Sequence, residues 1–277
     1  MGSMGLVSGQ LVVVRGAGDL ATGTILRLVR AGFRVAALEQ PMPSAIRRTV
    51  SLSEAMCEGG AQVEGLRSAR VETLAEVKRL LEDFGPEGPV PVFADPGCSA
   101  LRVLRPLALV DAILAKRNLG TRIDMAPVVV ALGPGFEAGV DAHAVVETNR
   151  GHDLGRVLLT GHAEANTGVP GLVGGKGSER VIHSPIAGVA ENIAAIGDLV
   201  QTGMPVLRVA GADGEALLRA EIDGVLRGLI RPRFPVQAGM KVGDVDPRAR
   251  REHCFTVSDK SRAIAGGVLE AILMLAH

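Results

Sequence analysis

Leu11-Val-Val-Val-Arg-Gly-Ala-Gly-Asp-Leu-Ala21 decides the fold. Leu11 to Val14 is apolar without alternation, the pattern of a strand buried on both faces of a parallel sheet. The run ends at Gly16-Ala17-Gly18, and a helix is predicted over Leu20 to Ala31, with Leu20, Ile25, Leu28 and Val29 on its apolar side. Gly32 stops that helix, and Val35 to Leu38 supplies a second strand ending in Glu39. A strand, a G-x-G-x-x-A turn and a helix form the context in which such a turn cradles a phosphate. Gly16 permits the turn, Gly18 lets a ligand approach backbone, and Ala21 allows close helix–strand packing. Glu39 stands where a carboxylate accepts ribose hydroxyls.

Further strand-like runs lie at Val90 to Ala94, Val128 to Leu132 and Ala144 to Glu147, with helical patterns at Val71 to Phe84 and Leu107 to Arg117. Alternating elements predict an α/β, Rossmann-like, doubly wound parallel sheet over residues 1–177. Ligands of such sheets sit beyond the carboxyl ends of the strands. Asp95-Pro-Gly-Cys98, Gly133-Pro-Gly135 and Glu147 to His152 are therefore expected on one rim. Glycines 168, 171, 174, 175 and 177 read as a linker.

Residues 178–250 carry an imperfect repeat. Ile186-Ala-Gly-Val189 precedes Gly197-Asp-Leu-Val200, and Ile222-Asp-Gly-Val225 precedes Val236-Gln-Ala-Gly239 and Gly243-Asp244. These residues resemble the biotinyl/lipoyl-type barrel-sandwich hybrid, a smaller β-rich domain. Its carrier members present a lysine at the central turn. Here Ala210 to Ala216 has none and Lys241 is not at the tip, which implies a scaffold or docking module. Residues 251–277 are expected to form a C-terminal helix, Asp259 to Ala276, packing on the first domain.

The 30 basic and 30 acidic residues cancel, and the chain has six Phe with no Trp or Tyr. Neither a polyanion-gathering field nor stacking platforms for bases are available, so no nucleic-acid or membrane partner is expected. Cys57, Cys98 and Cys254 suit neither a disulfide framework nor a metal knuckle, and a cytoplasmic protein is expected. Met1-Gly-Ser before Met4 reads as a cloning scar, and no export or anchoring segment is recognised.

Candidate cofactor-binding residues are Gly16, Gly18, Asp19 and Thr22 of the glycine turn, Glu39, Arg47, Arg48, Asp95, Cys98, Glu147, Arg150 and His152. Asp19 beside a phosphate is repulsive unless it caps the helix or binds a cation, and capping is the simpler role. Arg47-Arg48 can clasp a phosphate or carboxylate, or lie solvated on the surface. Glu147, Arg150 and His152 mix acid, guanidinium and imidazole around one strand end, without strict metal spacing. Cys98 is either a thiolate facing a cofactor or a small buried hydrophobe. No metal site and no catalytic set stand out.

Read together, Val13-Val-Arg-Gly-Ala-Gly-Asp-Leu-Ala-Thr-Gly23, Ala45-Ile-Arg-Arg-Thr-Val50 with Ser53-Glu-Ala55, and Glu147-Thr-Asn-Arg-Gly-His-Asp-Leu-Gly155 resemble the YqeB family. Gly174-Gly-Lys-Gly-Ser-Glu-Arg-Val181 and Asp259-Lys-Ser-Arg-Ala-Ile-Ala-Gly-Gly267 extend the likeness nearly end to end. The resemblance implies a maturation protein of the selenium-dependent molybdenum hydroxylase system, similar in its glycine loop to XdhC/CoxI-type factors. It further implies a molybdenum cofactor or a nucleotide or dinucleotide as ligand. A client molybdenum hydroxylase is the implied partner, and the sequence leaves open whether the chain forms a homo-oligomer. Asp19 departs from the XdhC/CoxI pattern. An NAD-dependent oxidoreductase and a non-catalytic interaction scaffold are the competing readings.

Overall fold

Strand β1 (Leu11–Arg15) carries Val12, Val13 and Val14, all without solvent exposure, and the first of two structural units is built around it. In this computed structural model residues 9–85, 88–169, 171–212 and 214–276 are described. The Met1-Gly-Ser stretch read as a scar and Asp213 of the 210–216 turn lie outside them. One unit comprises Met1–Pro43, Ser51–Thr167 and Val257–His277, and the other Ser44–Val50 and Gly168–Thr256.

In the first unit β1 leads to α1 (Asp19–Arg30), β2 (Arg34–Glu39), α2 (Ala55–Glu58), β3 (Gly60–Val63) and β4 (Leu66–Val71). Then come α3 (Leu74–Glu82), β5 (Val90–Ala94), α4 (Leu101–Leu104), β6 (Ala108–Asp111) and β7 (Val128–Leu132). Short strands β8 (Glu137–Ala138), β9 (Ala144–Val146), β10 (Val157–Leu158) and β11 (Gly161–His162) follow, and α5 (Asp259–Leu275) closes the unit. Nine strands form one sheet in the order β10-β9-β7-β6-β1-β2-β5-β4-β3, while β8 pairs with β11. The strands from β9 to β4 run parallel, and β10 and β3 pair antiparallel at the edges. Thr73 starts α3 with a capping box, its hydroxyl accepting from Glu76 N and its own N–H donating to the Glu76 carboxylate.

This corrects the expected Rossmann-like doubly wound parallel sheet. The sheet is mixed, and the crossovers β6 to β7 and β7 to β9 contain no α-helix. Leu107 to Arg117, predicted as a helix, instead contains β6, every residue of which is buried. Its apolar residues satisfy helical spacing and a two-face-buried strand equally. The cover over β9 is supplied from the far end of the chain by α5. A Cβ on Gly267 would lie 2.1 Å from Gly155 O and 2.9 Å from Val146 Cγ1. A Cβ on Gly23 of α1 would lie 2.1 Å from Ser261 Oγ of α5. Both glycines permit contacts that no side chain allows.

The second unit holds β12 (Val181–His183), β13 (Gly188–Asn192), β14 (Leu199–Val200), β15 (Pro205–Gly211), β16 (Gly214–Arg219), β17 (Gly224–Leu229), β18 (Pro235–Val236) and β19 (Lys241–Asp246). They form two four-stranded antiparallel sheets, β12-β19-β17-β14 and β16-β15-β13-β18. Val206, Leu207, Leu226, Leu229, Ile230 and Val242 fill the core. The biotinyl/lipoyl-type reading is corrected too, because the two Gly-Asp pairs on which it rested are not equivalent. Asp198 accepts from Ala195 N at 2.8 Å in a turn, whereas Asp244 is a buried strand residue ion-paired with Arg180.

Among the described residues no helix is long and apolar enough to cross a membrane. Adjacent glycines of α5 test the packing argument. A Cβ at Gly266 meets nothing within 4 Å, so Gly266→Ala is expected to stabilise by roughly 0.5–1 kcal/mol through helix propensity. Gly267→Ala is expected to destabilise by about 1–3 kcal/mol through overpacking. Denaturant midpoints of the two variants check the opposite signs.

Candidate functional site

The strand order reverses at β1, which has β2 on one side and β6 on the other. Loops leaving the carboxyl ends of such strands diverge and open a crevice. Its floor is a buried ionic network. Arg15 Nη1 donates to Asp111 Oδ2 at 3.2 Å and Thr121 Oγ1 at 2.9 Å, and Nη2 donates to the carbonyls of Pro96 and Leu119 at 2.9 and 3.0 Å. Thr121 Oγ1 donates to the same Asp111 oxygen at 2.5 Å, while Asp111 Oδ1 accepts from Ile113 N at 3.2 Å. The side chains of Arg15 and Asp111 are only 8% and 2% exposed. Burial at this depth is tolerable because the pair and its neighbours satisfy one another.

Gly16 holds φ at +100°, and a Cβ there would sit 3.2 Å from Ala112 O, so only glycine lets β1 and β6 leave side by side. Ala17 N donates to Glu39 Oε2 at 2.8 Å, and Gln40 N donates to Oε1 at 2.7 Å. Glu39 therefore braces the glycine turn from within, and does not stand ready for ribose hydroxyls as expected. Burial raises its pKa, against the lowering effect of the two amides. Gly18 is the N-cap of α1, at φ −66° and ψ −173°, and a Cβ there would meet nothing within 4 Å. Asp19 is thus the first helical residue rather than the cap. Thr22 Oγ1 donates to Ala17 O at 3.2 Å and accepts from Leu52 N at 2.9 Å, a structural clamp.

The other expected site residues divide. Asp95 accepts from Ser99 N, Ser99 Oγ and Ala100 N, so its carboxylate closes the turn before α4. Cys98 lies buried in that turn with φ at +57°, and burial pushes its thiol up to about 11, which leaves it a poor nucleophile. Glu147 is buried, with Oε1 accepting from Asn149 N at 2.6 Å and Oε2 from Glu164 N at 2.7 Å. Arg150 clasps Asp259 bidentately at 2.8 and 2.9 Å. His152 is exposed on the same loop. Arg47 and Arg48 belong to the second unit, where Arg48 Nε donates to Leu229 O at 2.9 Å and the Arg47 stem lies against Gly228. They are not residues of the first unit's rim.

Lys116 and Lys260 were not foreseen as a pair, because 144 positions separate them, although Lys260 falls within the Asp259–Gly267 motif. Lys260 lies in the first turn of α5, beside Ser261, whose Oγ donates to Asp19 O at 3.1 Å. The α1 and α5 starts therefore meet. Burial first, then the positive charges of Lys116 and Arg150, lower the Lys260 pKa, against the carboxylates of Asp19 and Glu147. Lys116 is exposed as a residue, yet partial desolvation of its ammonium lowers its pKa. Leu114 and Lys116 both hold left-handed backbone, φ +58° and +64°. Gly135 supports that loop, since a Cβ there would be 2.5 Å from Arg117 Cα.

Among the described residues no group of three or more His, Cys, Asp or Glu is placed to hold a metal ion. A cavity of about 450 Å³ lined by Leu101, Arg105, Pro106, Met125 and Pro127 lies where β6 and β7 begin, the end of the sheet away from the crevice.

No family model matches the chain. The chain is 50% identical over 268 residues to a protein of Escherichia coli (strain K12) described as "Uncharacterized protein YqeB". That match covers 97% of this chain and 48% of the relative, so the chain spans about half the relative's length. Among solved structures it is similar to the product-bound ectoine utilization protein EutE (DoeB) of Ruegeria pomeroyi, at 12% identity and TM-score 0.27, covering 86% and 85% of the two chains. A succinylglutamate desuccinylase/aspartoacylase of Rhodobacter sphaeroides gives 15% identity and TM-score 0.29, covering 86% of each chain. At such TM-scores neither likeness carries an argument about activity. The expected molybdenum hydroxylase maturation role is corrected nonetheless. The relative, 50% identical, is described without any activity, and nothing in that description supports a maturation role. The molybdenum and selenium expectations of that role fall with it.

Asp111→Ala leaves the Arg15 guanidinium buried without its counter-ion and is expected to cost about 3–5 kcal/mol in denaturant unfolding; a loss below about 1 kcal/mol contradicts the network's role. Glu39 gives a pH signature. A carboxyl whose folded pKa is raised contributes most below its unfolded pKa, and that contribution is lost as pH rises through the folded value. Stability of the wild type relative to Glu39→Gln is expected to fall as pH rises from the ordinary carboxylate range, measured by denaturation at successive pH values.

Proposed function

We propose that the first unit binds a phosphate-bearing small molecule, of the nucleotide or dinucleotide class, in the crevice beyond β1 and β6. The observation that carries this reading is the open backbone at Gly18, at the start of α1, with the Lys260 turn of α5 packed beside it and Lys116 in the same electrostatic neighbourhood. Amides at the start of a helix favour an anion, and the terminus of α1 is left unblocked by any side-chain cap. The nearby acids are largely engaged: Glu147 accepts two backbone amides and Asp259 is held by Arg150. Asp19 opposes the phosphate, and the two lysines offset it. Three free cysteines, two of them buried, accord with a reducing cytoplasm.

Gly18→Val is expected to fold normally, since its φ is ordinary and the space for a Cβ is free, while filling the place a phosphate occupies. Calorimetry with pyrophosphate and ATP is expected to show binding to the wild type and none to Gly18→Val. Lys116→Ala and Lys260→Ala are each expected to weaken binding by about 1.5–3 kcal/mol, the scale of a hydrogen bond to a charged group. With no Trp or Tyr in the chain, bound nucleotide also stands out in the near-ultraviolet. Wild-type affinity in Gly18→Val, or no binding by the wild type, contradicts the reading.

A further inference from the structure

Short strands guard almost every sheet edge among the described residues. Edge strands β3, β8, β10, β11, β12, β14 and β18 hold two to four residues each, whereas the edge strand β16 holds six, Gly214-Glu-Ala-Leu-Leu-Arg219. A long edge offers a row of backbone N–H and C=O groups to any strand that can lie beside it, and shortness, proline or a bulge normally blunts it. β16 has no proline, and the register shift in its ladder falls in β15, between Pro205 and Leu207.

The two faces of β16 differ. Leu218 is buried in the core of the second unit, while Glu215, Leu217 and Arg219 alternate with it on the solvent face, Leu217 being 45% exposed. Glu215 is only loosely engaged. Its contact with Arg208 Nη1 is 3.4 Å, and Arg208 Nε is turned instead to Glu191 at 2.8 Å. Arg219 Nη1 donates to Gly203 O at 2.7 Å, and among the described residues Arg219 has no carboxylate partner. The order acid, leucine, base at alternate positions is self-complementary. An antiparallel copy of β16 placed with Leu217 on the two-fold axis sets Glu215 opposite Arg219 at both ends and Leu217 beside its own copy. A slip of one residue turns the side chains to the wrong face, and a slip of two loses both Glu215–Arg219 pairs, so one register is favoured.

We propose that β16 is a self-association edge, where two copies of this chain pair β16 to β16 in antiparallel and join their β16-β15-β13-β18 sheets into one continuous sheet. Charges on an edge strand ordinarily keep copies apart. Here they meet their opposites, which makes a second copy the fitting partner. The pairing satisfies the outer backbone groups of both edges and covers the exposed Leu217 of each chain with the other.

Sedimentation velocity of the full chain over a concentration series reads the association. The wild type is expected to pass from monomer to dimer. Glu215→Arg and Arg219→Glu are each expected to raise the dimer dissociation constant by about tenfold or more, since each turns both attractive pairs repulsive. Mixed in equal amounts, the two variants again set opposite charges across the seam, so the mixture is expected to dimerise more tightly than either variant alone. That recovery also shows that both variants fold. A wild type that stays monomeric at every concentration, single variants that dimerise as the wild type does, or a mixture no tighter than its components overturns the proposal.

Discussion

Arg15 ends the central strand with its guanidinium out of water, and the loops that shape the crevice are tied to it. The carbonyl of Pro96 follows β5, Asp111 ends β6, and Leu119 and Thr121 lie in the β6–β7 connection. One side chain thus gathers to one point segments 81 to 106 residues further along the chain. Desolvating such a charge costs several kcal/mol, and only its near-complete set of partners offsets the cost. Among the described residues its Nε is buried without a partner, so the geometry is not ideal, which favours a positioning role over a gain in stability.

From that floor the crevice walls follow by steric necessity. Gly16 lets β1 turn away from Ala112, Gly135 lets the Lys116 loop lie close, and Gly23 lets α5 approach α1. The two helices bring their amino ends together, and the acids in reach are mostly occupied by amides or by Arg150. What remains available is an open backbone edge at Gly18 and two ammonium groups. Chemically this arrangement favours an anion with a compact charged end.

Leu11 to Leu38 was legible as strand, glycine turn, helix and strand because each boundary carries its own local cue. β6 was not. A strand buried on both faces shows no alternation, and Leu107, Val110, Ile113 and Leu114 also satisfy a helical period. The missing helices over β7 and β9 were equally hidden, since α5 covers that region from more than 100 residues away. Gly16 and Gly18 were legible as the turn between β1 and α1 through strand–turn–helix context. Asp95 looked chemical but closes its own turn, a role that short acidic side chains fill readily, whereas Glu147 accepts from Asn149 and from Glu164, 17 residues on. Arg47 and Arg48 were assigned to the wrong unit, because the chain leaves the first unit for Ser44–Val50 and returns without any change of composition. Lys116 and Lys260 needed the fold itself; the signals in the sequence were the scarcity of lysine and the place of Lys260 in the Asp259–Gly267 motif.

The central claim is that the crevice beyond β1 and β6 is where this chain takes its anionic ligand. Amide hydrogen exchange with and without pyrophosphate reads it directly, because bound anion protects the amides it engages. The account predicts added protection at residues 16–21, 113–117 and 258–262, with the rest of the chain unchanged. Unchanged exchange in those three segments, or protection confined to residues 168–256, would contradict it.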